Sequence, residues 1–181
     1  MFLRQGGITV IFISGVHGVG KGFFCDLVNK ELDIETYTAS DLIAKGKNIV
    51  FDSNKLVTDV EDNQHYLLAA IKELKENGSN FILDGHFCLT DKDTGKPTRI
   101  SLETFTNLNP DIIILLTEKP EVISQRRKER DGLDVTPESI EEFQNMENQY
   151  AQEVAELLGA KFFILTGTND LQKAVAFLKS L

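Results

Sequence analysis

The chain has 181 residues, of which 41% are hydrophobic and 26% charged, and its formal net charge is −9. This length and composition predict one globular domain, 1–181, with a proper buried core. The acidic balance argues against non-specific nucleic-acid binding, which needs a basic face, so we expect no nucleic-acid partner.

The cysteine content and the apolar runs indicate the cellular compartment in which the protein is expected. Cys25 and Cys88 have no paired spacing, which favours free thiols in a reducing cytoplasm. Residues 1–7 contain one arginine and no signal pattern, and no apolar run approaches the length of a membrane span. We therefore expect a cytoplasmic protein with no membrane partner.

Apolar runs alternate with helical patterns along the chain, which predicts βαβ units and a mainly parallel sheet. The predicted strands are 8–14, 35–39, 81–83, 111–116 and 161–165. The predicted helices are 21–32, 41–45, 61–76, 101–106, 120–130, 137–158 and 169–180. Ser40 and Thr136 are predicted helix N-caps, while 48–60 and 90–98 are predicted to be irregular or to form turns.

A glycine-rich segment follows the first predicted strand and fits the phosphate-binding pattern G-x-x-x-x-G-K. It consists of Gly15, Val16, His17, Gly18, Val19, Gly20 and Lys21, with Gly22 and Phe23 next in the chain. Its glycines let backbone N–H groups turn toward an anion, and the lysine supplies a charge for the β and γ phosphates. The alternative is a strand-to-helix turn with an incidental lysine. One position departs from the pattern, because Gly22 replaces the usual serine or threonine whose hydroxyl binds Mg²⁺.

A carboxylate ends the third predicted strand. Asp84 lies where ligands bind in open α/β sheets, so it is a candidate for holding Mg²⁺, with a turn aspartate before Gly85 as the alternative. His86 follows two residues later as a candidate acceptor contact or a polar loop residue.

The fifth predicted helix ends in a dense basic cluster, Arg126, Arg127, Lys128 and Arg130. Arginines stabilise the charge that develops in phosphoryl transfer, and the i, i+4 spacing of Arg126 and Arg130 places both on one helix face. Arg127 and Lys128 are expected to point elsewhere. The alternative is a solvated helix end. Residues 131–134 then look like a short cover that excludes water.

The chain resembles an archaeal-type adenylate kinase over most of its length. The resemblance rests on the phosphate-loop residues, on Asp84-Gly85-His86, on 108–114 and on Arg126, Arg127, Arg130 and Asp131, followed by 140–142 and 158–160. It implies a three-layer P-loop NTPase fold, in which helices wrap a five-stranded parallel sheet. It also implies a helical acceptor-binding insert at about 38–74, a short lid at about 126–136, and transfer of the ATP γ-phosphoryl group with Mg²⁺.

The resemblance also suggests binding residues. The backbone of Thr166, Gly167 and Thr168 would hold adenine, while Ser40, Asp41, Lys45, His86 and Arg99 are candidate acceptor contacts. The acceptor side departs from the family, because the chain has no arginine between Arg4 and Arg99. We therefore predict an ATP-dependent kinase of a nucleoside monophosphate, with Lys21, Asp84, Arg126 and Arg130 as catalytic residues. The alternatives are a nucleotide-binding regulator or slow ATPase, and a kinase of a non-nucleotide metabolite.

Overall fold

Alternating strands and helices build the molecule. The computed structural model describes residues 9–32, 34–51, 60–78, 80–91 and 95–179. The strands are β1 Val10–Ser14, β2 Glu35–Thr38, β3 Phe81–Asp84, β4 Cys88–Thr90, β5 Pro97–Arg99, β6 Ile112–Thr117 and β7 Lys161–Thr166. The helices are α1 Lys21–Leu32, α2 Ala39–Phe51, α3 Val60–Glu76, α4 Leu102–Leu108, α5 Pro120–Asp131, α6 Pro137–Leu158 and α7 Gly167–Lys179.

The main sheet has five parallel strands in the order β2-β3-β1-β6-β7. The central strands β1 and β6 are almost wholly buried, which explains their continuous Ile, Val, Leu and Phe composition. All five strands end at one edge, so the segments that follow them lie close together. The predicted parallel α/β sheet is confirmed.

Side chains alternate between the two faces of the sheet. Phe12 and Leu115 belong to the core cluster under α3, α4 and α6. Ile13 and Ile114, one residue away, belong to the cluster under α1 and α7, which also includes Ile123 of α5. The sheet is thus covered by helices on both faces, which is the predicted three-layer arrangement.

Two predicted elements were wrong in extent or type. The second helix runs from Ala39 to Phe51 rather than over 41–45, so Ser40 lies inside it and is not its N-cap. The helix therefore takes in 48–51 of the predicted irregular segment, while 52–59 lie outside the described residues. The segment 90–98 is not only turns, because β4 and β5 pair as an antiparallel hairpin with Cys88 opposite Arg99. Thr136 caps α6 as predicted, since its side chain accepts a hydrogen bond from the Ser139 N–H.

A buried carboxylate on α6 ties two loops at the sheet edge together. Glu147 is 0% exposed, and its Oε1 accepts hydrogen bonds from the Ser14 hydroxyl and, at 2.9 Å, from the Phe87 N–H. Its Oε2 accepts from the Cys88 N–H at 2.7 Å. Burial raises the pKa of this carboxyl, although the three donors oppose the shift. Glu147 thus connects the end of β1 with the segment after β3.

Substituting Glu147→Ala should destabilise the protein strongly. The change leaves three donors without an acceptor in the interior, and each such group costs about 1–3 kcal/mol. We expect the free energy of unfolding to fall by about 3–5 kcal/mol in chemical denaturation. Glu156→Ala, at an exposed site on the same helix, should change it by less than about 0.5 kcal/mol. Equal stabilities for the two variants would contradict the described role of Glu147.

The two cysteines should be unreactive in the folded protein. Both thiols are free and buried, and burial raises the pKa of each to about 12, so little thiolate forms near neutral pH. Iodoacetamide at mildly alkaline pH should therefore leave the native chain unlabelled, whereas the denatured chain should take up two labels by mass spectrometry. Rapid labelling of the native chain would show that the packing around these thiols is wrong.

Candidate functional site

The loop between β1 and α1 has the backbone of a phosphate-binding loop. Gly15, Gly18 and Gly20 have φ angles of +144°, +88° and +111°, values that side chains rarely tolerate. A Cβ at Gly15 would lie 2.6 Å from the carbonyl oxygen of Leu116, so this position also lacks room for any other residue. The loop can therefore turn N–H groups toward an anion at the start of α1.

Lys21 lies at the centre of the site with its ammonium group largely buried. The residue is 8% exposed, and Nζ donates a 2.7 Å hydrogen bond to the Gly15 carbonyl oxygen. Nζ also lies 3.8 Å from Asp84 Oδ1 and 3.4 Å from His86 Nε2. Burial lowers the pKa of Lys21, although Asp84 opposes this shift. The lysine thus bridges the phosphate loop and the end of β3.

Asp84 is the candidate metal ligand. Burial raises the pKa of its carboxyl, and the nearby Lys21 ammonium opposes that shift. Among the described residues, no group of three or more His, Cys, Asp or Glu side chains could hold a metal ion. A single carboxylate still suits Mg²⁺ with a nucleotide, because that ion usually takes one or two carboxylates together with phosphates and waters.

Two histidines stand beside the lysine. The rings of His17 and His86 have centroids 4.5 Å apart at an angle of 44°. Burial and the charge of Lys21 lower the pKa of both, that of His86 to about 2, so His86 is neutral at physiological pH. The ring nitrogen Nδ1 of His86 is buried without a hydrogen-bond partner and lies 3.9 Å from Glu147 Oε1.

The basic helix α5 lies against the phosphate loop. Arg126 donates a 3.2 Å hydrogen bond from Nη1 to the Val19 carbonyl oxygen, and its Nη2 lies 3.5 Å from Glu118 Oε2. Arg126 and Arg130 line the same cavity, in keeping with their i, i+4 spacing. The Arg130 guanidinium forms two hydrogen bonds with the Asp131 carboxylate, at 2.6 and 2.7 Å.

Arg127 departs from its expected direction. Its side chain packs on the phosphate loop, with Cγ 2.9 Å from where a Cβ of Gly18 would be, and its Nε is buried without a partner. A residue expected to point elsewhere therefore contacts the loop, and it also makes a side chain at Gly18 sterically costly.

The first cavity, of about 750 Å³, extends from the phosphate loop toward β7. Phe23 lines it while remaining 62% exposed, and Leu165, Gly167 and Leu171 form part of its far end. The segment of Thr166, Gly167 and Thr168 is not a loop, because β7 ends at Thr166 and α7 begins at Gly167. The cavity thus runs from a phosphate loop to an apolar end, as a nucleotide requires.

A second cavity, of about 340 Å³, opens on the other side of Lys21. It is bordered by α2, α3, α4 and the segment after β3. His17, Lys21 and Asp84 line both cavities, so the two spaces meet at these three residues.

The proposed acceptor contacts divide into two groups. Ser40 and His86 line the second cavity. Asp41 and Lys45 are exposed on α2 and do not belong to its described lining. Arg99 lies on the outer hairpin, where its guanidinium donates to both Glu153 carboxylate oxygens and stacks 4.6 Å from the centroid of the Tyr150 ring.

Sequence reasoning missed several residues of the site. Glu147 falls on the apolar stripe of α6, at i+4 from Phe143, and a charge at a core position was the available signal. Gln64 similarly precedes Leu67 and Ile71 on one face of α3, and its carbonyl oxygen accepts a 2.9 Å hydrogen bond from the buried Thr104 hydroxyl. Gln64 and Thr104 line the second cavity, whereas Glu147 is fully buried and is not part of its lining.

In the part of the chain that the structure describes, no helix combines the length and hydrophobicity needed to cross a membrane.

The chain matches one protein family, and its fold resembles that of several solved structures. A family profile described as "AAA domain" matches residues 14–144, well over half of the chain. A search of curated proteins found no match.

Three solved structures share the fold at low sequence identity. An uncharacterized protein from Eubacterium ventriosum is 15% identical with a TM-score of 0.51, covering 95% of this chain and 96% of that one. A sugar kinase from a Janibacter species is 16% identical with a TM-score of 0.58 and 95% coverage of both chains. The YorR protein from Bacillus subtilis, in complex with phosphorylated GDP, is 17% identical with a TM-score of 0.58 and 96% coverage of both chains.

These identities support a common fold, and the closer resemblance to archaeal adenylate kinases stays a prediction. The profile match, the loop geometry and the strand order agree with one another. The chain therefore belongs to the family described as AAA domain, and its fold is that of the P-loop NTPases.

Proposed function

We propose that the chain is an ATP-dependent kinase that transfers the γ-phosphoryl group to a small acceptor. The observation that carries this proposal is the meeting of two cavities at His17, Lys21 and Asp84. A hydrolase or a nucleotide-binding regulator needs only the first cavity, whereas a kinase needs a second one that opens onto the transferred group. Two proteins of similar fold are described as a sugar kinase and as a complex with phosphorylated GDP, which agrees with this class.

The donor nucleotide would occupy the first cavity. The loop amides of 15–22 and the Lys21 ammonium would hold its β and γ phosphates, and the adenosine would extend toward Gly167 and Leu171. Phe23, exposed at the rim, offers a hydrophobic surface for the nucleoside. In this pose the γ phosphate lies next to the second cavity.

Magnesium fits this donor side through Asp84. The residue would hold the ion directly or through water, together with the phosphates, since Gly22 supplies no hydroxyl. When bound, the ion would neutralise charge on the β and γ oxygens.

The arginines of α5 would stabilise the transition state. Arg126 is already fixed to the loop through the Val19 carbonyl, so its guanidinium needs little reorganisation to reach the phosphates. Arg130 would have to exchange its bonds with Asp131 for bonds with the nucleotide.

We propose that residues 126–136, which include both arginines, form a lid. The lid would exclude water from the transferred group.

The acceptor would enter between the sheet and the helices α2 and α3. These helices pack closely at Gly46, where a Cβ would lie 3.0 Å from the Tyr66 Cβ. Ser40 from α2 and Gln64 from α3 line the second cavity, which supports an acceptor-binding insert at about 38–74 within one domain. The resemblance to adenylate kinases makes a nucleoside monophosphate the first acceptor to test.

Substituting Lys21→Ala should abolish turnover. The loss removes the ammonium that lies between the Gly15 carbonyl of the phosphate loop and Asp84, and deleting such a charge contact costs about 100-fold or more in kcat. ADP formation, followed by a coupled assay over a panel of acceptors, measures the effect. Lys30→Ala, at an exposed site on the same helix, should retain wild-type activity. Normal turnover by Lys21→Ala would rule out the proposed mechanism.

Substituting Arg126→Ala should lower kcat by about 100-fold while changing the KM for ATP much less. The reason is that its charge would act mainly on the transferred group rather than on the bound nucleotide. Steady-state kinetics with varied ATP measure both constants, with Lys72→Ala on the exposed side of α3 as the control. A large rise in KM with an unchanged kcat would assign Arg126 to ground-state binding instead.

A further inference from the structure

The second cavity has a chemical character that bears on the acceptor. Its floor is aromatic and aliphatic, with Phe12 and Phe105 in edge-to-face contact at 5.6 Å and Ile71 beside them. A surface of this kind favours an apolar or aromatic body, as in most small-molecule sites. The floor therefore fits a molecule with a substantial uncharged part.

The polar groups of the second cavity are mostly neutral. Gln64, Thr104 and Ser40 line it, and the Thr104 hydroxyl donates to the Gln64 carbonyl oxygen at 2.9 Å. This bond orients the side-chain amide of Gln64 and leaves its NH₂ group as a donor to a ligand. Hydroxyl and amide groups of this kind recognise hydroxyls, carbonyls and ring nitrogens.

Cations are scarce at the same place. Among the described residues that line the cavity, Lys21 is the single lysine or arginine, and the donor phosphates would use it. Arg99 is held on the outside by Glu153. The second charged group of the lining is the Asp84 carboxylate, which the proposed Mg²⁺ would engage and which supplies no positive charge to an acceptor phosphate. Among the described lining residues, a phosphate of the acceptor would thus find no lysine or arginine that the donor phosphates do not already use.

We infer that the acceptor is an uncharged small alcohol with an apolar or aromatic body, rather than a phosphorylated compound such as a nucleoside monophosphate. This inference rests on the proposed kinase function and concerns the same site. The hydroxyl oxygen of the acceptor forms a bond with the γ phosphorus, and the bond between that phosphorus and the β–γ bridging oxygen breaks. ADP leaves with the bridging oxygen, and the hydroxyl proton is released to water.

Matched acceptor pairs test the inference. The purified protein is incubated with ATP, Mg²⁺ and one candidate acceptor at a time. The candidates are adenosine, uridine and thymidine, their 5′-monophosphates, and a set of sugars, polyols and aromatic alcohols. Transfer is measured as a phosphorylated product by mass spectrometry and as ADP formed in excess of hydrolysis. We expect at least one uncharged alcohol to be phosphorylated, with kcat/KM at least tenfold above that of any monophosphate in the panel.

Each result of this panel either supports or overturns the inference that the acceptor is an uncharged alcohol. A monophosphate whose kcat/KM exceeds that of every uncharged alcohol, or falls less than tenfold below the best of them, would overturn the inference and leave the kinase proposal intact. ADP release that no compound stimulates would overturn both. Uptake of ATP without any transfer would then identify a regulator or slow ATPase.

A substitution in the lining of the second cavity tests whether the acceptor binds there. Gln64→Leu keeps the size of the side chain and removes the amide, so the KM of the best uncharged acceptor should rise at least fivefold while the KM for ATP stays within twofold. Gln152→Leu, exposed on α6 and bonded to Asn148, is the matched control and should change neither constant. Equal acceptor constants for wild type and Gln64→Leu would place the acceptor outside this cavity.

Discussion

The position of one ammonium group organises the site. Lys21 Nζ is held by the Gly15 carbonyl on one side and faces the Asp84 carboxylate on the other, at the edge where β1 and β3 end. Because β1 and β3 are neighbours in register, with Ile13 opposite Asp84, the sheet itself fixes the distance between the phosphate loop and the acidic residue. A positive charge held between two strands can then serve the spaces on both sides of it.

A buried carboxylate holds the two loops of the site in a fixed relative position. The Glu147 carboxylate connects Ser14, directly before the phosphate loop, with the backbone of Phe87 and Cys88, directly after His86. A polar network in the interior specifies one arrangement, because each unpaired donor would be costly. Helix α6 therefore does more than cover the sheet, since it also sets how the two loops of the site lie relative to each other.

The sequence predicted the sheet and the glycine-rich loop after its first strand because local patterns determine them. The local signals are the β-branched run before Gly15, the spacing from Gly15 to Lys21, and the apolar run 111–116. The lining of the second cavity depends on contacts between distant segments, such as Gln64 with Thr104. The outward position of Arg99 likewise depends on its pairing with Glu153. The direction of Arg127 depends on tertiary packing against Gly18, which helical spacing alone does not define.

The resemblance to adenylate kinases and the lining of the second cavity point to different acceptors, but both require the same donor site. Calorimetric titration with Mg²⁺ and a non-hydrolysable ATP analogue tests that site most directly. The account predicts uptake of one nucleotide per chain. No uptake of any nucleoside di- or triphosphate by the folded protein would contradict it.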